Sequence, residues 1–232
     1  MQTETKVTQV LSRTRDALSV RFARPEDFDY LPGQYMFITL GCKDEQKTKH
    51  LTISSSPTED FLEVTKRLTG HEFSNALREI KAEDRVIIRG PYGDFTFQGE
   101  HDKICMLSGG IGITPLRSMI RYSTDKGLSA NMVLLYSNSH EDDIIFEDDL
   151  ESMEKQNPNL KVVNTITKPS PVWKGLKGRI DRDMIVREVP DYADRVFFTS
   201  GPRKMVDAIL TLLKDLGLPE NQIKQEYFPG YD

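Results

Sequence analysis

Cysteine is scarce in this chain of 232 residues: Cys42 and Cys105 are the only two. They are far apart, form no C-x-x-C pair and cannot supply the four thiolates of an iron–sulfur cluster. Cys105 falls in an apolar run and reads as a small buried hydrophobe; Cys42, beside Gly41, reads as lying near a strand end. No disulfide between them is expected in a reducing compartment. Histidine is sparse as well. His50, His71, His101 and His140 show no metal-ligand spacing, so no bound metal is expected. Positive charge is not in excess: the formal net charge is −5, which argues against a nucleic-acid binder. No apolar run approaches the roughly 18 residues of a membrane helix. Residues 1–5 lack the apolar core of a signal peptide, so a cytoplasmic location is the expectation. There is no internal repeat and no low-complexity tract.

What is present divides into two patterns. Partial alternation predicts strands over residues 7–11, 18–22, 35–40, 51–55, 61–66 and 85–89. One helix interrupts them at 72–80, where Phe73, Ala76, Leu77 and Ile80 follow the i, i+3, i+4, i+7 spacing. The second half alternates instead: strands at 104–107, 132–136, 161–165 and 196–199, with helices near 116–122, 146–155 and 202–216. Such alternation implies a parallel sheet with helices on its faces. The polar link Gln98-Gly99-Glu100-His101-Asp102 marks the boundary. The expected fold is therefore a two-domain one: an antiparallel six-stranded β-barrel at 1–99, then an α/β parallel-sheet domain at 100–232.

Within the second half, the strand 104–107 runs into Ser108-Gly109-Gly110-Ile111-Gly112-Ile113-Thr114-Pro115 and then into a helix. Glycines let a backbone approach phosphates closely, and free N–H groups at a helix start favour negative charge. Pro115 suits a first helical turn, where its missing N–H costs nothing. The spacing is not G-x-G-x-x-G, so it is not the usual dinucleotide fingerprint.

Seven motifs in order give the chain its resemblance. They are Leu31-Pro32-Gly33-Gln34-Tyr35; Lys49-His50-Leu51-Thr52-Ile53-Ser54-Ser55; Gly70-His71-Glu72-Phe73-Ser74; Gly90-Pro91-Tyr92-Gly93-Asp94-Phe95; the glycine turn from Gly109 to Pro115; Ser200-Gly201-Pro202; and the tail Glu226-Tyr227-Phe228. Together they resemble the ferredoxin–NADP reductase superfamily across essentially the whole chain. The resemblance implies a Greek-key barrel that holds a flavin and a second domain that holds NAD(P)H. The reaction implied is hydride transfer from nicotinamide C4 to flavin N5, with electrons passed on to a separate carrier such as ferredoxin.

By that resemblance, Lys49, His50, Leu51, Thr52, Ile53 and Ser54 line the flavin, with the Thr52 hydroxyl near N5. Lys49 stands where arginine usually contacts the flavin phosphate, and Leu51 where tyrosine often packs. A lysine offers a point charge rather than a bidentate fork. Gly70, Phe73 and Ser74 would hold phosphate at a helix start; Ser74 also reads as a plain N-cap. Gly109, Gly110, Gly112, Thr114, Pro115, Ser200, Gly201 and Pro202 would hold the nicotinamide nucleotide. Ser200 replaces the usual cysteine. Phe228 matches an aromatic beside the flavin ring, with Tyr227 and Tyr231 as competitors. Glu226 matches an acidic residue near the flavin, and also reads as an ordinary surface carboxylate. Thr52, Ser200, Glu226 and Phe228 are thus the expected catalytic set.

FAD is expected over FMN by resemblance alone. Residues 137–143, Ser-Asn-Ser-His-Glu-Asp-Asp, hold no arginine or lysine for a 2′-phosphate, which favours NADH over NADPH. Lys66, Arg67, Arg78, Lys81, Arg85 and Arg89 would dock an acidic carrier if they share one face, and otherwise form a solvated surface. Two other readings compete: a flavin reductase that uses free flavin as substrate, and a non-catalytic subunit that keeps only the fold.

Overall fold

The computed structural model describes residues 1–41 and 46–228. Cys42 and Tyr231, singled out above, lie outside the described residues. The first half is a six-stranded antiparallel sheet: β1 (Gln2–Ser12), β2 (Ala17–Ala23), β3 (Tyr35–Leu40), β4 (Lys47–Thr52), β5 (Phe61–Arg67) and β6 (Arg85–Tyr92). Its order is β4-β3-β6-β1-β2-β5, and it curls until the two edges meet. Ile53, just past β4, bridges Val64 of β5, and the Ser54 N–H donates to the Glu63 carbonyl at 2.7 Å. Side chains alternate across each strand. Val7, Val20, Phe22, Met36, Ile38 and Ile88 accordingly fill the interior with no exposure. Helix α1 (Glu72–Glu79) packs on β3 and β4 by burying Phe73 and Leu77, one turn apart.

The second half runs β7 (Lys103–Gly109), α2 (Ile113–Asp125), β8 (Asn131–Asn138), α3 (Glu147–Gln156), β9 (Leu160–Ile166), β10 (Leu176–Lys177), α4 (Arg182–Glu188), β11 (Val196–Gly201), α5 (Arg203–Asp215) and β12 (Ile223–Tyr227). The strands are parallel, in the order β10-β9-β8-β7-β11-β12. Ile104, Cys105, Met106 and Leu107 of the central β7 are completely buried, as expected for a strand with apolar cover on both faces. From β7 the sheet grows through β8 on one side and β11 on the other. The carboxyl ends of β7 and β11 therefore form the switch point where open α/β sheets take ligands. The halves share packing: Ala17, Phe95 and Phe97 sit in one core with Met106, Met119 and Phe198.

The antiparallel-then-parallel architecture matches the expectation, and three details differ. The fourth strand is β4 at Lys47–Thr52, not 51–55. Its polar residues suit an edge strand. After Thr52 the chain turns inward, and Ser54, Ser55 and Ser56 are fully buried. Helix α2 starts three residues before the expected 116, with Pro115 in its first turn. Three elements had not been expected. β10 is two residues long, too short to show a period. α4 carries a legible signal, the Asp181 carboxylate accepting the Met184 N–H at 2.8 Å as an N-cap. β12 is mostly polar and exists because it pairs along β11, from Phe197–Ile223 to Gly201–Tyr227.

Candidate functional site

The turn between β7 and α2 is built on close backbone approach. Gly110 takes φ +51°, and its carbonyl accepts the Tyr136 hydroxyl at 2.8 Å. At Gly112 a Cβ would lie 2.1 Å from the Ser200 carbonyl oxygen, so only glycine lets the β7–α2 and β11–α5 turns touch. The Ser200 hydroxyl donates to the Gly112 carbonyl at 2.7 Å. Ser200 is fully buried and lines neither cavity described below. Its hydroxyl joins the two turns instead.

One cavity, of about 260 Å³, lies between the halves. The barrel contributes Tyr35, Lys49, His50, Leu51, Thr52 and Thr65; the second half contributes Ile111, Thr114, Glu226, Tyr227 and Phe228. The Phe228 N–H donates to the Gly201 carbonyl at 2.8 Å, which ties the tail to the switch point. Leu51, Ile111 and Phe228 give apolar walls, and Thr52, Thr65 and Lys49 give polar edges. Burial pushes the Glu226 carboxyl up to about 8, and one of its oxygens is buried without a hydrogen-bond partner among the described residues. Burial first, and the Lys49 charge second, hold the His50 imidazole below its ordinary value.

A second cavity, of about 510 Å³, opens at the switch point. Ser108, Gly109, Gly110, Ser137, Asn138, Ser139, Thr167 and Pro202 line it, together with Arg67, Arg179 and Lys204. Among the described residues, Arg67 Nε and Nη2, Ser108 Oγ and both amide atoms of Asn138 are buried without hydrogen-bond partners, although Arg67 Nε lies 3.6 Å from the Asp16 carboxylate as an ion pair. A guanidinium and a hydroxyl with free hydrogen-bonding capacity around a glycine turn suit a phosphate-bearing ligand. The first cavity suits a flat ring held between apolar walls. The residues thus fit a flavin in one cavity and a dinucleotide in the other.

The other expected residues fall elsewhere. Ile53 is in the barrel core and Ser54 is bonded to Glu63. Ser74 is not an N-cap: that position belongs to His71, and the Ser74 hydroxyl accepts the Thr69 N–H at 3.3 Å. Phe73 packs in the barrel core, while Gly70 is exposed beside it with φ +77°. The basic residues do not share one face. Lys66 is buried, its ammonium lowered to about 8 by burial and then by Lys49, and it donates to the Arg67 carbonyl at 3.1 Å. Arg67 faces the second cavity, whereas Arg78, Lys81, Arg85 and Arg89 are exposed.

Residues 4–97 match the model of the oxidoreductase FAD-binding domain, and residues 106–211 match the oxidoreductase NAD-binding domain. The chain belongs to the ferredoxin–NADP reductase superfamily. A glycine betaine monooxygenase reductase subunit of Chromohalobacter salexigens is 31% identical over 229 residues, covering 95% of this chain and 62% of the relative. A propane 2-monooxygenase reductase component of Rhodococcus jostii is 26% identical over 232 residues, covering 97% of this chain and 63% of the relative. The chain thus spans less than two thirds of these relatives. In fold it is similar to the cytochrome b5 reductase domain of Ulva prolifera nitrate reductase, with TM-score 0.84 at 23% identity, covering 97% of each chain. It is also similar to the ferredoxin reductase in carbazole 1,9a-dioxygenase, with TM-score 0.85 at 24% identity over 98% of this chain and 69% of that one.

For this superfamily member, the sequence reading missed residues that approach from a distance. Thr65 and Arg67 were legible in part, because alternation along β5 sends both to one side. Arg179 and Lys204 were not, since neither lies near the glycine turn in sequence. Their presence in the cavity sets cations against the lack of cations in 137–143, so the lining points to neither nucleotide over the other. The carboxylates of that run do not line this cavity; Glu141 accepts from the Ser170 N–H and hydroxyl.

Proposed function

We propose that this chain oxidises NAD(P)H and delivers the electrons to a separate protein carrier, with FAD in the first cavity and the nicotinamide nucleotide in the second. Residues 1–99 would serve the flavin and 100–232 the nucleotide. The observation that carries the reading is the sharing of one turn. Gly109 and Gly110 line one cavity, and Ile111 and Thr114 line the other. Two ligands held there would lie against a common backbone segment.

Each side chain then has a physical task. Leu51 and Phe228 would flank the flavin ring, Thr52 would orient its polar edge, and Lys49 would offer charge to its phosphates. Glu226 would retain a proton at neutral pH within the cavity. Arg67, Arg179 and Lys204 would neutralise nucleotide phosphates. Bound FAD would supply the redox chemistry, taking a hydride from nicotinamide and releasing electrons singly to the carrier. The names of the two monooxygenase reductase relatives support an outside acceptor, and a ferredoxin-type carrier is the expected one.

The test is the visible spectrum of the purified protein under anaerobic conditions, before and after NADH and, separately, NADPH. Bound-flavin bands that bleach with nucleotide are expected. The rates with the two nucleotides set the preference: NADH follows from the run 137–143, and NADPH from Arg179 and Lys204. A colourless protein that oxidises nucleotide only with added free flavin would replace this reading with that of a flavin reductase. No flavin and no oxidation would leave a non-catalytic subunit.

A further inference from the structure

Helix α2 begins at the glycine turn, and one turn further on it is bolted to the strand end that carries Thr52. Arg117 is almost wholly buried, and its Nη1 donates to the Ser54 carbonyl at 3.2 Å. Its Nη2 donates to Glu59 at 3.0 Å and to Asp149 of α3 at 3.2 Å. Glu59 in turn accepts the Ser56 N–H at 2.7 Å. The Ser118 hydroxyl donates to the Ser55 carbonyl at 2.6 Å. Three consecutive buried residues, Ser54, Ser55 and Ser56, are thus gripped by two neighbours on α2, directly or through Glu59. Thr114, which lines the first cavity, lies four residues before Ser118 and so on the same face of the helix.

We infer that Arg117 and Ser118 are positioning residues that set the height of the glycine turn over Thr52. The inference rests on the function proposed above. The contacts join elements that line the first cavity from its two sides. On one side, Thr52 is followed within two residues by the gripped carbonyls. On the other, the glycine turn is followed by the gripping side chains within about one helical turn. Neither side chain lines either of the two cavities described above, so neither touches a ligand held in them. Bidentate geometry matters at Arg117, because Nη1 and Nη2 each take one Glu59 oxygen while Nη1 also meets the Ser54 carbonyl and Nη2 also meets Asp149. A lysine keeps the charge and loses the fork. Hydride transfer depends steeply on donor–acceptor placement, and a shift of about 1 Å is worth as much as a hundredfold in rate.

The experiment compares wild type, Arg117→Lys, Arg117→Gln and Ser118→Ala. Two quantities are measured: the anaerobic rate of flavin bleaching at saturating nucleotide, with 4-protio and 4-deutero nicotinamide, and amide hydrogen exchange of the ligand-free protein. The expected result for Arg117→Gln is full flavin content, bleaching slowed by at least about tenfold, and a saturation constant for nucleotide within about twofold of wild type. Arg117→Lys should recover part of the rate, and Ser118→Ala should lose less than Arg117→Gln. In the ligand-free protein, exchange should quicken at residues 54–57 and in the first turns of α2 while the amides of β7 and β8 stay protected. If Arg117→Gln does not fold, Ser118→Ala and Asp149→Asn carry the same two readouts. Wild-type bleaching rates in the folded variants, or losses confined to flavin content and Tm, would overturn the inference. If wild type itself is not bleached by either nucleotide, the proposed function fails. The exchange result then still decides whether α2 grips the Ser54–Ser56 carbonyls and amide as described.

Discussion

Glu226 is a carboxylic acid in an unfavourable place for a charge. It lies at the edge of the first cavity with one oxygen buried and without a hydrogen-bond partner among the described residues. Burial favours its neutral form and lifts it from the ordinary 4.5 to about 8. The folded chain therefore binds this proton more tightly than the unfolded chain. The resulting stability is fully present below about pH 4.5 and is lost as pH rises through about 8. Glu226→Gln is neutral throughout, so its Tm relative to wild type should climb across that interval. A Tm difference that is flat with pH would show that the carboxyl is solvated. At this scale the sequence was legible where a residue type has one job. It brought Lys49, Thr52 and Phe228 to attention, and the fold sets all three around the first cavity, while their roles toward a ligand remain part of the proposal. Ser74 and Lys66 were misread, because capping and burial depend on neighbours that a motif does not list.

The β7–α2 unit shows how an element constrains its residues. Its glycines look alike in sequence and are not equivalent in space. Gly112 has no room for a methyl group, since the Ser200 carbonyl would be 2.1 Å away, and a backbone atom cannot swing aside. Gly110 has open space to 3.8 Å and pays only for its positive φ. Gly112→Ala should therefore cost roughly 3 kcal/mol or more, and Gly110→Ala about 1–2 kcal/mol, in urea unfolding. The reverse ranking would mean that the two turns do not touch. Element types came through the local period well: strands with alternation, a continuous apolar run for β7, and the spacing of Phe73, Ala76, Leu77 and Ile80 for α1. β12 did not, because a polar edge strand is defined by its partner and not by its own pattern.

For the whole molecule, the two halves act as one support. They share a core around Phe97 and Phe198 and are pinned by Arg117 and Ser118. A ligand bound between them stabilises the folded state by mass action. FAD added to the flavin-free protein at a hundred times its dissociation constant should contribute about 2.7 kcal/mol. In a chain of this size that is a rise in Tm of roughly 5–10 °C. FMN at the same concentration should give a smaller rise, for want of the adenosine half. Equal shifts would remove the adenosine from the reading, and no shift from either would remove the flavin.

The sequence by itself determined the order of the main elements apart from β10, α4 and β12, the change from antiparallel to parallel pairing, and the place of the glycine turn. These depend on short-range periodicity and on backbone geometry that glycine alone permits. Tertiary structure decided which charges meet. It buried Lys66, turned Ser200 inward, brought Arg67, Arg179 and Lys204 to one cavity, and buried the Glu226 carboxyl at the edge of another. Solvation and charge pairing act through space, and the residues that control them here are separated by as much as the distance from β5 to α5 along the chain.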